Sequence, residues 1–446
     1  MQQFIYRHVL LPGFETLWKR RKTFRYLKEL QASQWLGRAE LEQLQVDALR
    51  HLLAHAAEHC AYYRQTWQEL GLDPKKVQSP SDFRHWPLID RHVIRENRHR
   101  MRGPGKLFSK GTGGSTGMPL QFDLNPDSND RRVAASIRGY EWAGVETGCK
   151  QLYLWGVAVT EQSRKQRWKD ALYHGIYRRK FLSTFNLSEE RFSEYLEFHN
   201  RYRPDAVVAY TNSLYEFARM LADKKAQVHS PKSIVVGAEK LHPFQRELIE
   251  KVFGAPVFET YGSREFMLMG SECERHCGLH LTQEYLLVEV VDEDGQPTPA
   301  GEEGNVVVTD LYNYGMPFVR YKNGDRAIAG FEQCGCGRGL PLLKQVTGRV
   351  VDFVQTPDGR RITGLFFPHL LKDFAGVGRF QVVQDAPDHV QIRIVATPKW
   401  NDGERRAVDG IVRSHLGPAV KLDIVNVDEI PLTGAGKQRV VVNSCA

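Results

Sequence analysis

Apolar residues recur at helical spacing through the first hundred positions and at strand spacing further along. Leu41 to Leu70 shows the helical pattern, so residues 1 to about 100 are predicted to be mostly helical. From about 105 to 350, strand-like runs alternate with helical patterns, which predicts a wound α/β domain. The strand-like runs are Gln151–Val159, Ala206–Tyr210, Ser233–Val236 and Pro256–Thr260.

Two later regions are typical of antiparallel or mixed structure. Val288–Asp310 holds β-rich runs broken by Asp-Gly and Pro-Ala-Gly turns. Beyond Val351, strand-like runs cover 380–383, 389–395 and 420–427, with helices predicted within 364–374 and 403–416. We therefore predict an α/β protein with a large multi-layer N-terminal domain of wound sheets, residues 1–349. A small α+β C-terminal domain follows, residues 350–446.

Composition is that of a globular enzyme. The chain has 446 residues, 41% of them hydrophobic, and a net charge of +8 that is spread along the chain, so we expect no nucleic-acid partner. The exception is Trp18–Lys28, where six basic residues stand among aromatics; anionic lipid is one interpretation, and a basic surface helix is favoured. No apolar run reaches the ~20 residues of a membrane span, and Met1–Leu11, which contains Arg7 and His8, does not have the apolar pattern of a signal h-region. We expect a cytoplasmic location.

A glycine-rich segment, Phe108–Phe122, admits three interpretations. Its Thr112, Gly113, Gly114, Ser115, Thr116 and Gly117 suit a phosphate-binding loop, since glycine permits close backbone approach and hydroxyl and N–H groups donate hydrogen bonds. Gly113–Gly117 also matches the G-x-S-x-G elbow of serine hydrolases. That elbow must lead into a helix, whereas Leu120–Leu124 alternates as a strand. A flexible hairpin loop is the third interpretation.

Four later residues carry candidate chemistry. Glu265, in Tyr261-Gly-Ser-Arg-Glu, can hold Mg²⁺ against triphosphate oxygens. Asp325, after Asn323-Gly324, can accept ribose hydroxyls, although Asn-Gly-Asp is also a strong turn signal. Arg349 offers a planar donor fork to phosphate or ribose, and Lys437, in a glycine-rich segment, can neutralise charge in a transition state. Each of these residues taken singly is also typical of an ordinary surface position.

Five motifs, taken in order, resemble the adenylate-forming enzymes over roughly Phe108–Arg439. They are Thr112–Gly117, Tyr261–Glu265, Asn323–Asp325, Gly348–Asp352 and Pro431–Lys437. The details are most similar to the phenylacetate–CoA ligase branch and its capsular-polysaccharide, CapK-like members. That resemblance implies a large domain with a small C-terminal lid, formation of an acyl-adenylate with release of pyrophosphate, and attack by a thiol, usually of CoA.

The resemblance also implies a set of site residues. The glycine-rich loop would hold the β- and γ-phosphates, Gly237, Ala238, Glu239 and Tyr261 would flank adenine, and Gly262 and Ser263 would complete the nucleotide site. Glu265 would carry Mg²⁺, Asp325 and Arg349 would hold ribose, and Lys437 would serve adenylation. Tyr210, Thr211 and Tyr215 are candidates for the pocket of the carboxylic acid.

The seven cysteines include a clustered set. Cys273, His280, Cys334 and Cys336 supply three thiolates and one imidazole, a donor set suited to a tetrahedral structural zinc. Cys277 and His276 are competing ligands, and reduced cysteines without a metal are the alternative. Some members of the phenylacetate-ligase branch have similar spacings.

These observations predict an ATP-dependent, Mg²⁺-dependent acid–CoA ligase that forms AMP, with a place in polysaccharide biosynthesis. One alternative passes the activated group to an amine, a sugar or a carrier protein. The other is a non-catalytic relative in envelope-polysaccharide assembly. The expected partners are ATP, a carboxylic acid and CoA or another acceptor, and a homodimer is one candidate assembly.

Overall fold

The computed structural model describes most of the chain and divides it into two compact units. The described residues are 2–112, 120–156, 164–184, 187, 190–330, 333–349, 353–358, 361–363, 366–371, 374–432 and 438–445. The large unit comprises Met1–Asn323 and Ala327–Val346, and the small unit comprises Gly324–Arg326 and Thr347–Ala446.

Helices dominate the first hundred residues, as predicted. The helices are α1 Gln2–Ile5, α2 Leu11–Gly13, α3 Thr23–Ser33, α4 Arg38–His59, α5 Ala61–Glu69, α6 Pro80–Phe83, α7 Arg91–Asn97, α8 Pro126–Trp142, α9 Arg164–Ile176, α10 Phe192–Tyr202, α11 Thr211–Asp223, α12 Pro243–Phe253, α13 Phe366–Leu371 and α14 Asp402–Leu416. Two π-helical stretches, Tyr6–Leu10 and Phe14–Trp18, alternate with α1 and α2, and Pro74–Lys76 forms a 3₁₀ turn. Among the described helices, none has both the length and the apolar character needed to cross a bilayer.

Local sequence explains where α12 begins and ends. Pro243 occupies the first helical position, where its missing N–H is not needed. The Gln245 side chain accepts a hydrogen bond from the His242 N–H at 3.0 Å, which satisfies a backbone donor at the helix start. Gly254 ends the helix in the left-handed region at φ +63°.

Strands occupy most of the rest of the chain. They are β1 Phe108–Gly111, β2 Gln121–Leu124, β3 Gln151–Trp155, β4 Arg179–Ser183, β5 Ala206–Tyr210, β6 Ser233–Gly237, β7 Val257–Ser263, β8 Met267–Ser271, β9 Leu279–Leu281, β10 Leu286–Val291, β11 Glu303–Asp310, β12 Tyr321–Ala329, β13 Leu342–Arg349, β14 Phe353–Gln355, β15 Arg361–Thr363, β16 Val377–Ala386, β17 His389–Ala396, β18 Lys421–Asn426 and β19 Val441–Asn443.

One sheet of 11 strands organises the large unit. Its order is β10-β11-β12-β13-β9-β8-β7-β6-β5-β3-β4. The pairs from β4 to β7 are parallel, and β7–β8, β8–β9, β9–β13 and β10–β11 are antiparallel. The parallel strands β5 and β6 are buried along their whole length, as expected for strands with helices on both faces. The wound α/β prediction and the antiparallel prediction for Val288–Asp310 are confirmed.

Three fully buried arginines fasten helices and loops of the large unit to the sheet. Arg132 and Arg138, both on α8, pair with Asp310 and Glu284, and Arg320 makes two hydrogen bonds of 3.1 Å to Glu289. Removing one partner of a buried pair leaves an uncompensated charge, which typically costs about 3–5 kcal/mol.

The small unit is an α+β arrangement. Its four-stranded sheet has the order β18-β17-β16-β19. Helix α14 buries Val408, Val412 and Leu416, at helical spacing, in the same apolar cluster as Ile392 and Ile394 of β17.

The turn alternative for Asn323-Gly324-Asp325 does not match the structure. β12 begins at Tyr321 and runs through all three residues. Pairing of β12 with two neighbouring strands overrides the turn preference. The strand requires φ +86° at position 324, and glycine adopts this left-handed conformation without steric cost.

Candidate functional site

Polar groups gather at one edge of the large sheet, where three neighbouring parallel strands end. Tyr210 at the end of β5 lies opposite Gly237 at the end of β6, and Val236 lies opposite Glu259 of β7. Parallel strands present their carboxyl ends at the same edge, the usual ligand site of open α/β sheets.

The segment Gly237-Ala238-Glu239 is held at this edge by its neighbours. Thr260 donates a 2.8 Å hydrogen bond to the Val236 carbonyl, and a Cβ added at Gly237 would lie 2.5 Å from the Thr260 hydroxyl. Ala238 adopts φ +69°, a left-handed conformation that costs free energy in a residue other than glycine. The conformation of Gly237-Ala238-Glu239 is therefore set by contacts with its neighbours rather than by the backbone preference of Ala238.

Glu239 has a structural partner of its own. Its carboxylate accepts a 2.8 Å hydrogen bond from the Asn212 N–H in the first turn of α11. Its carbonyl accepts one of 2.9 Å from the Thr211 hydroxyl. An acidic group at a helix N-terminus satisfies a free N–H and complements the helix dipole. Glu239 thus joins the ends of β5 and β6.

Tyr261 and Glu265 lie on and just after β7. The Asn323 side-chain amide donates a 2.9 Å hydrogen bond to the Tyr261 hydroxyl. Glu265 is only 4% exposed; its carboxylate lies 3.9 Å from the Arg91 guanidinium and accepts a 3.5 Å hydrogen bond from the Tyr321 hydroxyl. A buried carboxylate is normally paired with a cation, and Arg91 lies at the outer limit of an ion-pair distance from this one.

Two other predicted nucleotide residues shape the turn that carries Glu265. The Ser263 hydroxyl accepts a 3.3 Å hydrogen bond from the Phe266 N–H. A Cβ at Gly262 would come within 2.1 Å of the Met267 carbonyl oxygen, so only glycine fits this β7–β8 hairpin.

The glycine-rich segment joins β1 to β2. Thr112 closes its base: the Thr112 N–H donates to the Leu120 carbonyl at 3.0 Å, and the Leu120 N–H donates to the Thr112 hydroxyl at 2.9 Å. Gly113, Gly114, Ser115, Thr116 and Gly117 lie outside the described residues. Arg264 donates a 3.2 Å hydrogen bond to the Gly111 carbonyl, so the base of the loop contacts the Glu265 turn.

Sequence reasoning missed Lys110, which stands two residues before Thr112. Its ammonium donates a 3.0 Å hydrogen bond to the Asn129 side chain. Burial, and then the charges of Arg132 and Arg264, lower the pKa of Lys110 to about 8. A cation placed so close to other cations favours an anionic ligand. In the sequence, the signal that could have identified Lys110 was its position just before a candidate phosphate-binding loop.

The remaining predicted residues are placed as follows. Asp325 is buried on β12, on the same strand face as Asn323, and Arg349 ends β13. Tyr210 lies against Trp155 with ring centroids 4.1 Å apart, and Tyr215 lies 5.5 Å from Phe244. Lys437 lies outside the described residues.

A second polar cluster lies elsewhere in the large unit, where β9 meets two loops. The ligand atoms of Cys273, His280, Cys334 and Cys336 all lie within 4.8 Å of one another. Cys273 and Cys334 sulfurs are 3.6 Å apart, and Cys336 sulfur is 3.4 Å from His280 Nε2. Ligands bound tetrahedrally to zinc lie about 3.5–3.8 Å apart, given Zn–S and Zn–N bond lengths. The donor set and its spacing fit a zinc ion.

The surroundings of this cluster suit metal ligands. Backbone N–H groups of Arg275 and Arg338 each donate to a cysteine sulfur at 3.5 Å, a contact typical of outer-shell support. Burial lowers the pKa of His280 to about 4, which keeps its imidazole in the neutral, metal-binding form. Cys277, the competing ligand, is exposed and does not belong to the group.

Comparisons with known proteins agree on one group of relatives. Residues 354–444 match the family model described as the CapK C-terminal domain. Protein CapK of Staphylococcus aureus is 24% identical over 477 aligned positions, covering 100% of both chains. A phenylacetate–coenzyme A ligase of Thermus thermophilus is 27% identical and covers 72% of each chain. The fold matches a solved 2-hydroxyisobutyryl-CoA ligase bound to an acyl-AMP, with TM-score 0.75, 20% identity and coverage of 93% of this chain and 91% of that one.

Proposed function

Since this chain is a homologue of protein CapK and of the phenylacetate–coenzyme A ligases, with the fold of adenylate-forming ligases, we propose that it activates a carboxylic acid with ATP. The activated acid is an acyl-adenylate, formed as a carboxylate oxygen attacks the α-phosphate and pyrophosphate leaves. The observation that carries the proposal is the position of Gly237–Glu239 and Tyr261 at the carboxyl edge formed by β5, β6 and β7.

Each predicted site residue has a part in this proposal. Adenine lies against Gly237–Glu239 and Tyr261, whose hydroxyl is already oriented by Asn323. The triphosphate lies toward the glycine-rich loop, beside Lys110 and Arg264, because these two cations stand at the base of the loop. Asp325 and Arg349 hold the ribose, and Lys437 stabilises the charge that develops during attack.

Glu265 is the proposed magnesium ligand. A hard carboxylate oxygen suits Mg²⁺, which in nucleotide sites takes one or two carboxylates together with phosphate oxygens. Such an ion, when bound, neutralises charge on the leaving pyrophosphate. In this structure Glu265 is buried beside Arg91, and the Ser263 hydroxyl and Gly262 fix the turn that presents it.

Coenzyme A is the proposed acceptor of the acyl group. Support comes from the phenylacetate–coenzyme A ligases among the relatives, which include a Thermus thermophilus enzyme. The thiolate of coenzyme A would attack the acyl carbon of the acyl-adenylate, forming the thioester and releasing AMP. An amine, a sugar or a carrier protein is the rival acceptor.

We also propose a structural zinc at Cys273, His280, Cys334 and Cys336. Four protein ligands leave no open coordination position, so the ion would brace the two cysteine-bearing loops and take no part in the reaction. Zinc measured by mass spectrometry at about one equivalent per chain, and its loss in Cys334→Ser but not in Cys277→Ser, is the expected result. Equal metal content in both variants would overturn this assignment.

A screen of carboxylic acids for AMP release tests the activity. The purified chain is incubated with ATP, Mg²⁺ and aromatic, aliphatic or sugar acids, with and without CoA. AMP release that depends on one acid class, and thioester formation that depends on CoA, is expected. Acid-dependent pyrophosphate exchange without a thioester favours the rival acceptor, and no acid-dependent turnover with any class would overturn the proposal.

A further inference from the structure

The first helical segment of the chain, Gln2–Trp18, packs on the large unit through polar side chains. Gln3 donates a 3.1 Å hydrogen bond to Glu146, and the Arg7 guanidinium lies 3.1 Å from the same carboxylate. Glu15 is fully buried and lies 3.5 Å from Arg21. The side of this segment that faces the protein is therefore held by hydrogen bonds and ion pairs together with the fully buried Leu11.

The other side of the segment faces solvent and is mostly apolar, with His8 and Thr16 as exposed polar members. We call it the apolar face; its exposed apolar members are Phe4, Ile5, Val9, Leu10, Leu17 and Trp18. Leu17 is 80% exposed and Trp18 is 79% exposed. A surface helix of a globular protein normally turns its apolar stripe inward and its polar side outward. Here Leu11 is buried but six large apolar side chains face solvent, and exposed apolar surface of this kind marks an interaction site.

Helix α9, which contacts this segment, carries a second exposed apolar pair. Its Tyr173 lies 6.2 Å from Phe14, measured between ring centroids. Trp168 and Leu172, one helical turn apart on α9, are 68% and 50% exposed. Two neighbouring helices of the large unit thus expose large apolar side chains, including two tryptophans.

Cations accompany both groups of apolar residues. Lys19 and Arg20 follow directly after Trp18, and Lys169 follows Trp168. All three are exposed and form no ion pair with another described residue, although the Lys19 ammonium lies 5.5 Å from the ring centroid of Phe14 and 5.7 Å from that of Tyr173. Arg20 adopts φ +53°, which ends the helical segment immediately after the apolar face.

We propose that the apolar face and α9 dock on an anionic membrane surface, lying within the interface without crossing it. Tryptophan is favoured at membrane interfaces because its ring is amphipathic. Exposed lysine and arginine beside it attract anionic headgroups. A protein partner is the competing occupant, but cores of protein interfaces are depleted in lysine, whereas an interfacial helix combines apolar residues with lysine and arginine. This inference is independent of the proposed adenylation.

Vesicle flotation of the full chain tests the proposal. One set of vesicles contains phosphatidylcholine alone, and the other adds about one-third phosphatidylglycerol to supply negative charge. The test variants are Leu17→Ser with Trp18→Ser, and Lys19→Gln with Arg20→Gln. Their matched controls are Leu70→Ser, at a residue 56% exposed on another part of the large unit, and Lys75→Gln with Lys76→Gln, an adjacent exposed basic pair.

The wild-type chain is expected to float with anionic vesicles and to do so less at high salt. Both test variants are expected to bind at least about tenfold more weakly, while both controls bind like the wild type and all variants keep the wild-type Tm. The proposal is overturned if the chain does not float, or if the controls lose binding as much as the test variants. It is also overturned if Leu17→Ser with Trp18→Ser abolishes self-association in sedimentation analysis without changing vesicle binding.

Discussion

The cysteine cluster and the strand-edge site differ in how their polar groups are arranged. In the cluster, four donor atoms point at one spot, within 4.8 Å of one another. At the edge of β5, β6 and β7, the groups are spread along three strand ends, and several are already bonded to backbone, as Glu239 is to Asn212.

The difference indicates two kinds of ligand. Donors that converge on a point suit a single small ion. The metal–ligand bonds then contribute directly to the free energy of folding. Groups distributed along an edge suit an extended ligand such as a nucleotide, and their own hydrogen bonds preorganise them before it binds. Loss of a converging donor should therefore cost stability, and loss of a distributed one should cost rate.

Breaking the converging cluster should have the largest effect. We expect Cys334→Ser to lower the free energy of unfolding by at least about 4 kcal/mol, since loss of a structural metal is among the most damaging changes. Cys277→Ser, at an exposed cysteine outside the group, should leave stability within about 0.5 kcal/mol of wild type. Urea denaturation checks both. Equal stability of the two variants would mean that the cluster does not hold the fold together.

Removing the proposed catalytic lysine, which supplies charge rather than holding the fold, should lower the rate and leave the fold intact. We expect Lys437→Ala to reduce acid-dependent pyrophosphate exchange by about 10²–10³, the usual loss for one charge-stabilising donor. Lys399→Ala, an exposed lysine of the same small unit, is the control and should keep wild-type exchange. The idea fails if both variants exchange pyrophosphate equally fast, or if Lys437→Ala lowers the Tm as well.

Gly262→Ala should lower both the stability of the fold and the rate of pyrophosphate exchange, because this glycine shapes the turn that presents Glu265. The added Cβ would lie 2.1 Å from the Met267 carbonyl oxygen, and relief of that overlap should cost about 1–3 kcal/mol of stability. Gly410→Ala is the matched control: the position lies within α14 with open space around it, so stability should rise by about 0.5–1 kcal/mol. Thermal unfolding and pyrophosphate exchange on the same preparations check the pair; unchanged exchange in Gly262→Ala would count against Glu265.

The smallest expected effect is a pH dependence of the free energy of unfolding that comes from Glu259 on β7. Burial raises the pKa of Glu259 to about 7, and the nearby Glu272 adds to this; the Leu241 N–H, Arg246 and Lys240 act in the opposite direction. The folded protein therefore binds a proton that the unfolded chain releases above its ordinary pKa of 4.5. The stability that this proton provides is fully present below pH 4.5 and is lost as pH rises through about 7.

Glu259→Gln should remove this dependence, because the amide stays neutral and can still accept from the Leu241 N–H. At pH 8 the variant should be more stable than wild type by about 1–2 kcal/mol, and at pH 5 the two should be similar. Urea denaturation at both pH values measures the difference. Parallel stability profiles for the two proteins would rule out Glu259 as the titrating group.

Much of the fold could be predicted from the sequence because its elements are strongly periodic. Ala206–Tyr210 was predicted to the residue, since a short β-branched run between polar segments suits a buried parallel strand. The turn alternative for Asp325 stayed open at the level of sequence, because Asn-Gly-Asp has a strong turn preference and the strand pairing of β12 is invisible in a single sequence. Lys110 was overlooked because its closeness to Arg132 and Arg264 depends on the folded chain.

By itself, the sequence determined the order of elements, the donor types and the spacing of the motifs, since local periodicity and residue chemistry are written in the chain. Only the tertiary structure decided that Cys273 and Cys334, 61 positions apart, bring their sulfurs within 3.6 Å, that Cys277 stays outside, and that the apolar side of the first helical segment faces solvent. Those outcomes depend on long-range strand pairing and packing, which place distant residues together or leave them exposed in ways that no local pattern specifies.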